Sequence, residues 1–192
     1  KAYDNYEEKF NGQFKFSSNL VGVKSTLPMP MKKSATNEKE FSVDLKIEDG
    51  KLKVGFIDFF ESGDVPTVET AKHTTLHKGI LFRGSFHHLE IDAWMKFFKG
   101  DSSTNEDTEK IPLLFDIRTR AANLFGHYFS DMRIKGQQNK EGWNIKIEGI
   151  DASGNITLPS LRNSNVLDIK LQHLRLIKKT SLTEAVPQAS SD

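Results

Sequence analysis

Cysteine is absent from the 192 residues. Disulfides, thiolate nucleophiles and zinc–thiolate sites are therefore excluded. Charge of one sign is also lacking: 27 Lys and Arg stand against 26 Asp and Glu, a formal net charge of +1. Such a balance gives no general electrostatic pull on nucleic acid. The pairs Lys32-Lys33 and Lys178-Lys179 lack the interleaved aromatics of a nucleic-acid stripe. No apolar run approaches the roughly 18–20 residues of a membrane-spanning helix. No secretory leader is readable at the start, where Lys1 stands, and the expectation is a piece of a longer protein. There is no glycine-rich phosphate loop and no G-x-S-x-G elbow. Tryptophan (2) and tyrosine (3) are scarce, whereas phenylalanine is frequent at 14, so the placement of those rings is the main question.

What is present is a period of two. Phe14 and Phe16 alternate with Gln13, Lys15 and Ser17. Phe41, Val43, Leu45 and Ile47 alternate with Ser42, Asp44, Lys46 and Glu48. Asp49-Gly50 follows, a hairpin signal because both residues tolerate positive φ. The return run is Leu52, Val54 and Phe56, so 40–60 reads as a hairpin. The same alternation recurs at Phe115 and Ile117, at Met132 and Ile134, at Trp143, Ile145 and Ile147, at Ile156 and Leu158, and at Leu167, Ile169 and Leu171. Leu174 and Leu176 continue one residue out of phase, which predicts a bulge near Gln172-His173.

One segment carries a helical period: Ile91, Trp94, Met95 and Phe98, with Asp92 as a cap and Gly100 as a stop. The stretches 25–39, 99–110 and 180–192 lack periodicity and read as loop, mobile loop and flexible tail or linker. Asp49-Gly50, Gly136–Gly142 and Ser153-Gly154 read as short connections. No βαβ spacing is visible. The expected fold is mainly β: a curved antiparallel meander sheet, a taco-like β-groove, with one short helix at about 91–99. The expected organisation is a single segment over 1–179 with the tail at 180–192.

Period-two strands have one wet and one apolar face. One short helix is too little to cover eight to ten strands. Either the sheet closes on itself as a β-sandwich with a self-filled core, for structure or partner binding, or it leaves an apolar groove for a lipid. By phase, the groove candidates are Phe41, Val43, Leu45, Ile47, Leu52, Val54, Phe56, Phe115, Ile117, Met132, Ile134, Trp143, Ile145, Ile147, Ile156, Leu158, Ile169 and Leu171. The dimensions allow it: a strand of seven or eight residues spans about 25 Å, and one leaflet's hydrocarbon is about 15 Å deep. Exposing two long acyl chains to water costs on the order of 20 kcal/mol, which a continuous apolar trough largely removes.

Reactive constellations are sparse. His87, His88 and Asp92 form a possible metal or hydrolase cluster, and His73 and His77 are four apart but read as strand and turn. Asp101, Ser103, Asn105, Asp107 and Glu109 alternate like a calcium loop but lack its glycine, and Pro112 stands where its last glutamate belongs. No enzymatic activity and no metal site are expected.

Three stretches together resemble the YhdP family of AsmA-like, TamB-related proteins. The first holds Ser18, Leu20, Gly22, then Leu27, Pro28, Pro30 and Lys32 or Lys33. The second is Gly84–Phe98, with its step into a helix at Trp94. The third runs from Pro112 through Leu124-Phe125-Gly126, Gly136, Gly142-Trp143, Gly149, Gly154 and Leu158-Pro159 to Leu171, Leu174 and Leu176. The resemblance implies the C-terminal portion of a Gram-negative envelope protein, anchored in the inner membrane and extending through the periplasm. It implies phospholipid as cargo, moved between the inner and outer membranes, with no cofactor and no catalytic residues. An isolated slice of such a sheet is expected to self-associate through its edges.

Overall fold

A computed structural model describes residues 9–61, 76–99, 111–139, 142–159 and 168–178. The strands are β1 (Gly12–Ser18), β2 (Lys39–Glu48), β3 (Lys51–Glu61), β4 (Gly79–Glu90), β5 (Leu113–Leu124), β6 (His127–Asn139), β7 (Gly142–Glu148), β8 (Ala152–Pro159), β9 (Asp168–Leu174) and β10 (Ile177–Lys178). The helix α1 (Ile91–Lys99) lies between β4 and β5. All ten strands belong to one open sheet: β1 to β9 follow in chain order, and β10 pairs with β6. Among the described residues no second sheet faces it, so the sandwich expectation is not met. His73, Gly100, Leu167, the acidic stretch from Asp101 to Glu109 and the 180–192 tail lie outside the described residues.

The mainly β, one-helix expectation holds, and most ladders are antiparallel. Two are not: β3–β4 and β4–β5 are parallel. The reading of a pure meander without a βαβ unit is corrected here. A parallel pair needs a crossover rather than a hairpin, and α1 sits within the connection from β4 to β5.

Two tight turns follow from local chemistry. Asp49 (φ 53°) and Gly50 (φ 71°) form the hairpin between β2 and β3. Phe125 (φ 50°) and Gly126 (φ 75°) do the same between β5 and β6. Phenylalanine is an unusual occupant of that conformation. The Asp92 carboxylate stabilises it by accepting the Phe125 N–H at 2.8 Å. Asp92 therefore ties α1 to a hairpin tip rather than capping the helix. Two glycine readings are also corrected. Ser153-Gly154 lies inside β8 and Gly136 inside β6, while the chain between β7 and β8 turns at residues 149–151.

The alternation slips by one residue at a kink shared by three strands. The registers of β4–β5 and β5–β6 skip over His87, Arg120 and Asp131, and Asp131 has φ 48°. Phe86, Thr119 and Met132 are buried before the kink, and Leu89, Ala122 and Phe129 after it. The second set packs with Ile134 and Ala152 as the core, covered by Ile91 and Trp94 of α1. The Trp94 indole N–H donates to the Met29 carbonyl at 2.8 Å, which seats the 25–33 loop against the helix.

The C-terminal strands are held by Asp151, which is fully buried. Its carboxylate accepts the Ser130 N–H at 2.7 Å and Arg175 Nε at 3.0 Å. Its carbonyl accepts the Arg175 N–H at 2.6 Å. The Ser130 N–H holds this carboxyl below the usual carboxylate range, against the opposing effect of burial, and Arg175 adds to it. Ile177 and Lys178 can then pair with Tyr128 and His127, where β7 leaves β6 uncovered.

Candidate functional site

Directly paired residues share a face of a sheet, so the register assigns the faces. One cross-strand row reads Phe16, Val43, Ile57, Phe82, Phe115, Gly136, Ile145, Ile156, Ile169. It crosses nine strands without a polar side chain. The next row runs Phe41, Phe59, Gly84, Ile117, Ile134, Ile147, Gly154, Leu171, with Ser18 at its β1 end. On the other side lie Phe14, Leu45, Gly55, Ile80 and Leu113, and the pair Trp143–Leu158. Nine strands at about 4.8 Å spacing make this apolar band roughly 38 Å long. Three rows about 7 Å apart make it roughly 14–20 Å wide.

Core residues of such a band would be hidden, yet Phe14 (54%), Phe16 (48%), Ile169 (49%), Leu113 (40%), Leu171 (39%) and Leu158 (37%) are substantially exposed. The exposure is greatest at the two ends of the band, on β1 and on β8–β9, and the middle of the row is half-buried. The rings do not stack into a plug but step across neighbouring strands. Phe16–Phe41, Phe41–Phe59 and Phe59–Phe86 lie edge-on or tilted at 6.2, 6.5 and 5.8 Å. Glycines on the same face let rings lie flat. A Cβ on Gly136 would stand 2.1 Å from Phe115 Cζ, and one on Gly84 would meet the Phe86 ring at 2.2 Å. Interior strand glycines are also where a sheet bends.

The opposite face is polar and cross-linked. One row reads Ser42, Asp58, Arg83, Asp116, Lys135, Lys146, Asn155, Lys170. Arg83 grips Asp58 with two bonds of 2.6 Å. Arg133 grips Asp116 with bonds of 2.8 and 2.6 Å, and that carboxylate raises the guanidinium's pKa. Such bidentate pairs fix side chains as well as attract. A hollow of about 520 Å³, lined by Leu81, Leu114, Lys135, Asn144 and Thr157 among others, opens mainly on this polar side.

The sequence-derived candidates lie on the apolar face with two exceptions. Val54 pairs with Lys46 and Phe56 with Asp44, which places both on the polar face. The cause is a bulge: Ile47 pairs with Leu52 but Lys46 with Val54, so Lys53 is an extra residue and the phase of β3 reverses. Phe56 then lies under the Arg83 guanidinium, 5.3 Å from its ring centre. Residues that the phase argument omitted are Phe14, Phe16, Ile57, Phe59, Ile80 and Phe82. The alternation of Phe14 with Phe16, and of Ile80 with Phe82, was the available signal. The expected bulge in β9 is present: Ser153 pairs with His173 and Gly154 with Leu171, leaving Gln172 over.

The suspected His–Asp cluster does not converge. His87 Nδ1 lies 2.7 Å from Glu61 Oε2, the His88 ring tilts against Tyr128, and Asp92 serves Phe125. Among the described residues no group of His, Asp and Glu is placed to hold a metal ion. Among them, too, no helix is long and apolar enough to cross a membrane.

No curated protein and no solved structure matches the chain. A family model described as YhdP protein matches residues 2–192. That match spans the apolar rows, the kink and the helix alike, and the chain belongs to the YhdP family.

Proposed function

We propose that the apolar face carries phospholipid acyl chains, as one stretch of a periplasmic bridge between the inner and outer membranes of a Gram-negative envelope. The observation behind this reading is the row from Phe16 to Ile169, nine strands long without a polar side chain and exposed at both ends. A chain lying along such a band leaves water continuously, at about 0.8 kcal/mol per methylene, without a specific pocket. That suits movement, because no position is much deeper than the next. The work is shielding, not catalysis. The polar face, with its bidentate ion pairs, is turned to water. Membership of the YhdP family supports the envelope setting.

Native mass spectrometry of the purified chain, incubated with mixed bacterial phospholipids and then delipidated, tests the proposal. Expected are adducts at phospholipid masses that vanish on delipidation and return on re-addition. A chain that stays folded and never takes up phospholipid contradicts it. Among the described residues β1 and β9 have one ladder neighbour each, so edge-to-edge association of the isolated piece is also expected.

A further inference from the structure

The two ends of the strands are not alike on the apolar face. β1, β3, β4, β5, β7 and β9 run toward one end of the sheet, where α1 lies, and β2, β6 and β8 run toward the other. On the central strands the exposure falls toward the helix end. Leu113 is 40% exposed, whereas Thr119, six residues further along β5, is 4% exposed. Ile80 is half-buried, and Phe86, six residues further along β4, is 1% exposed.

Three devices close the helix end. On β2 and β3 the apolar rows stop at Lys39, which stands opposite Glu61 and pairs with it at 2.8 Å, the side chains being 8% and 14% exposed. Lys39 Nζ also donates to the Pro30 carbonyl and lies 5.4 Å from the centre of the Phe59 ring, so the ammonium and the 25–33 loop sit over that ring. On β5 and β6, Ile91 and Trp94 of α1 pack against the core that holds Met132 and Ile134. The 149–151 turn abuts the same methionine: a Cβ on Gly149 would stand 2.4 Å from the Met132 sulfur. The opposite end is rimmed by exposed polar residues, Asn11, Asp49, Gly50, Lys51 and Asn139.

We propose that a phospholipid on this face lies one way round, with its headgroup at the rim of the β2–β3 and β6–β7 turns and its acyl chains turned toward Lys39, Phe59 and α1. The inference rests on the acyl-chain reading above and adds a direction to it. A charged headgroup stays in water, because its desolvation costs more than apolar contact returns. The rim offers water beside apolar surface. The helix end offers neither: its ion pair is satisfied and nearly buried, and its apolar side chains are already covered. The distance agrees. Six residues from Leu113 to Thr119 span about 20 Å, against about 15 Å for the hydrocarbon depth of one leaflet. Passage from strand to strand then carries headgroups along one rim, while Lys39–Glu61 and α1 act as a stop on the other side.

The test uses two phospholipids that differ only in the place of a diazirine, on the headgroup or on the last carbon of one acyl chain. Each is bound to the purified chain and irradiated, and the adducts are located by peptide mass spectrometry. Headgroup adducts are expected at residues 49–51 and 137–139 in about tenfold excess over residues 25–39, the ratio that a preference of about 1.4 kcal/mol produces. Chain-end adducts are expected around Ile57, Ile117 and the 25–39 side, and not at 49–51. Chain-end adducts accompanied by headgroup adducts divided evenly between the two ends, or in excess at 25–39, overturn the direction and leave the acyl-chain reading standing. No adduct from either probe on the folded chain overturns both.

Discussion

Ile145→Asp and Val54→Asp make an informative pair, because sequence phase treats them alike and the register separates them. Ile145 is half-buried at the middle of the apolar row, between Gly136 and Ile156. Val54 is equally half-buried but faces Lys46 on the polar side. An acyl chain crossing one strand spacing of about 4.8 Å lays down about four methylenes. At about 0.8 kcal/mol each these are worth about 3 kcal/mol fully buried, and roughly half of that when the sheet covers one side only. Losing about 1.5 kcal/mol weakens binding about tenfold. A carboxylate forced against hydrocarbon adds its own desolvation cost, so Ile145→Asp should weaken uptake by at least about tenfold. Val54→Asp gains an ion-pair partner in Lys46 and should stay within about twofold. The assay is titration with a fluorescent phospholipid, after circular dichroism has shown both variants to be folded. Equal losses in the two variants, or a larger loss in Val54→Asp, would refute the assignment of faces.

Other expectations concern stability. Gly154→Ala meets backbone, with a Cβ 2.4 Å from the Lys170 carbonyl oxygen and φ at 153°, so it should cost about 3 kcal/mol in chemical denaturation. Gly136→Ala meets only the far end of the Phe115 ring, which can turn aside, and should cost less, about 1 kcal/mol. Phe86→Ala empties a site that is 1% exposed and should cost roughly 3–5 kcal/mol, read as a lowered urea midpoint at unchanged slope. Burial pushes the Glu61 carboxyl up, but the Lys39 ion pair and the His87 N–H outweigh burial and leave it below the usual range. Because the folded value is the lower one, this contribution is complete above the unfolded glutamate value near pH 4.3 and is lost as pH falls through the folded value. Glu61→Gln should therefore flatten the acid limb of the melting-temperature profile. It should also cost about 3 kcal/mol at neutral pH, by leaving buried Lys39 without its carboxylate.

Much of this architecture is legible in the sequence where its cause is local. Asp49-Gly50 announces its turn because both residues sit at positive φ. The extra residue at Gln172 shows as a break in the apolar period of β9. The bulge at Lys53 leaves no such break. Leu52, Val54 and Phe56 alternate without interruption, and so do Gly55, Ile57 and Phe59 on the other parity. Pairing with β2 and β4 decides between them, and that information is not local. The parallel ladders around β4 are hidden for the same reason: strand direction depends on where the connecting chain returns. Gly136 and Gly154 resemble turn glycines in composition, but their role is to receive Phe115 and to let β9 approach β8. The apolar face was readable as a period of two, but the reversal of phase within β3 was not.

The account rests on one face of the sheet touching acyl chains while the other does not. Site-specific photocrosslinking measures this directly. A benzophenone amino acid replaces Phe115, on the apolar row, or Gln137, on the neighbouring strand's polar face. The protein is then irradiated with radiolabelled phospholipid. Labelled adducts should form from position 115 and not from position 137. Equal labelling at both positions, or none at 115 in a folded protein, would contradict the account.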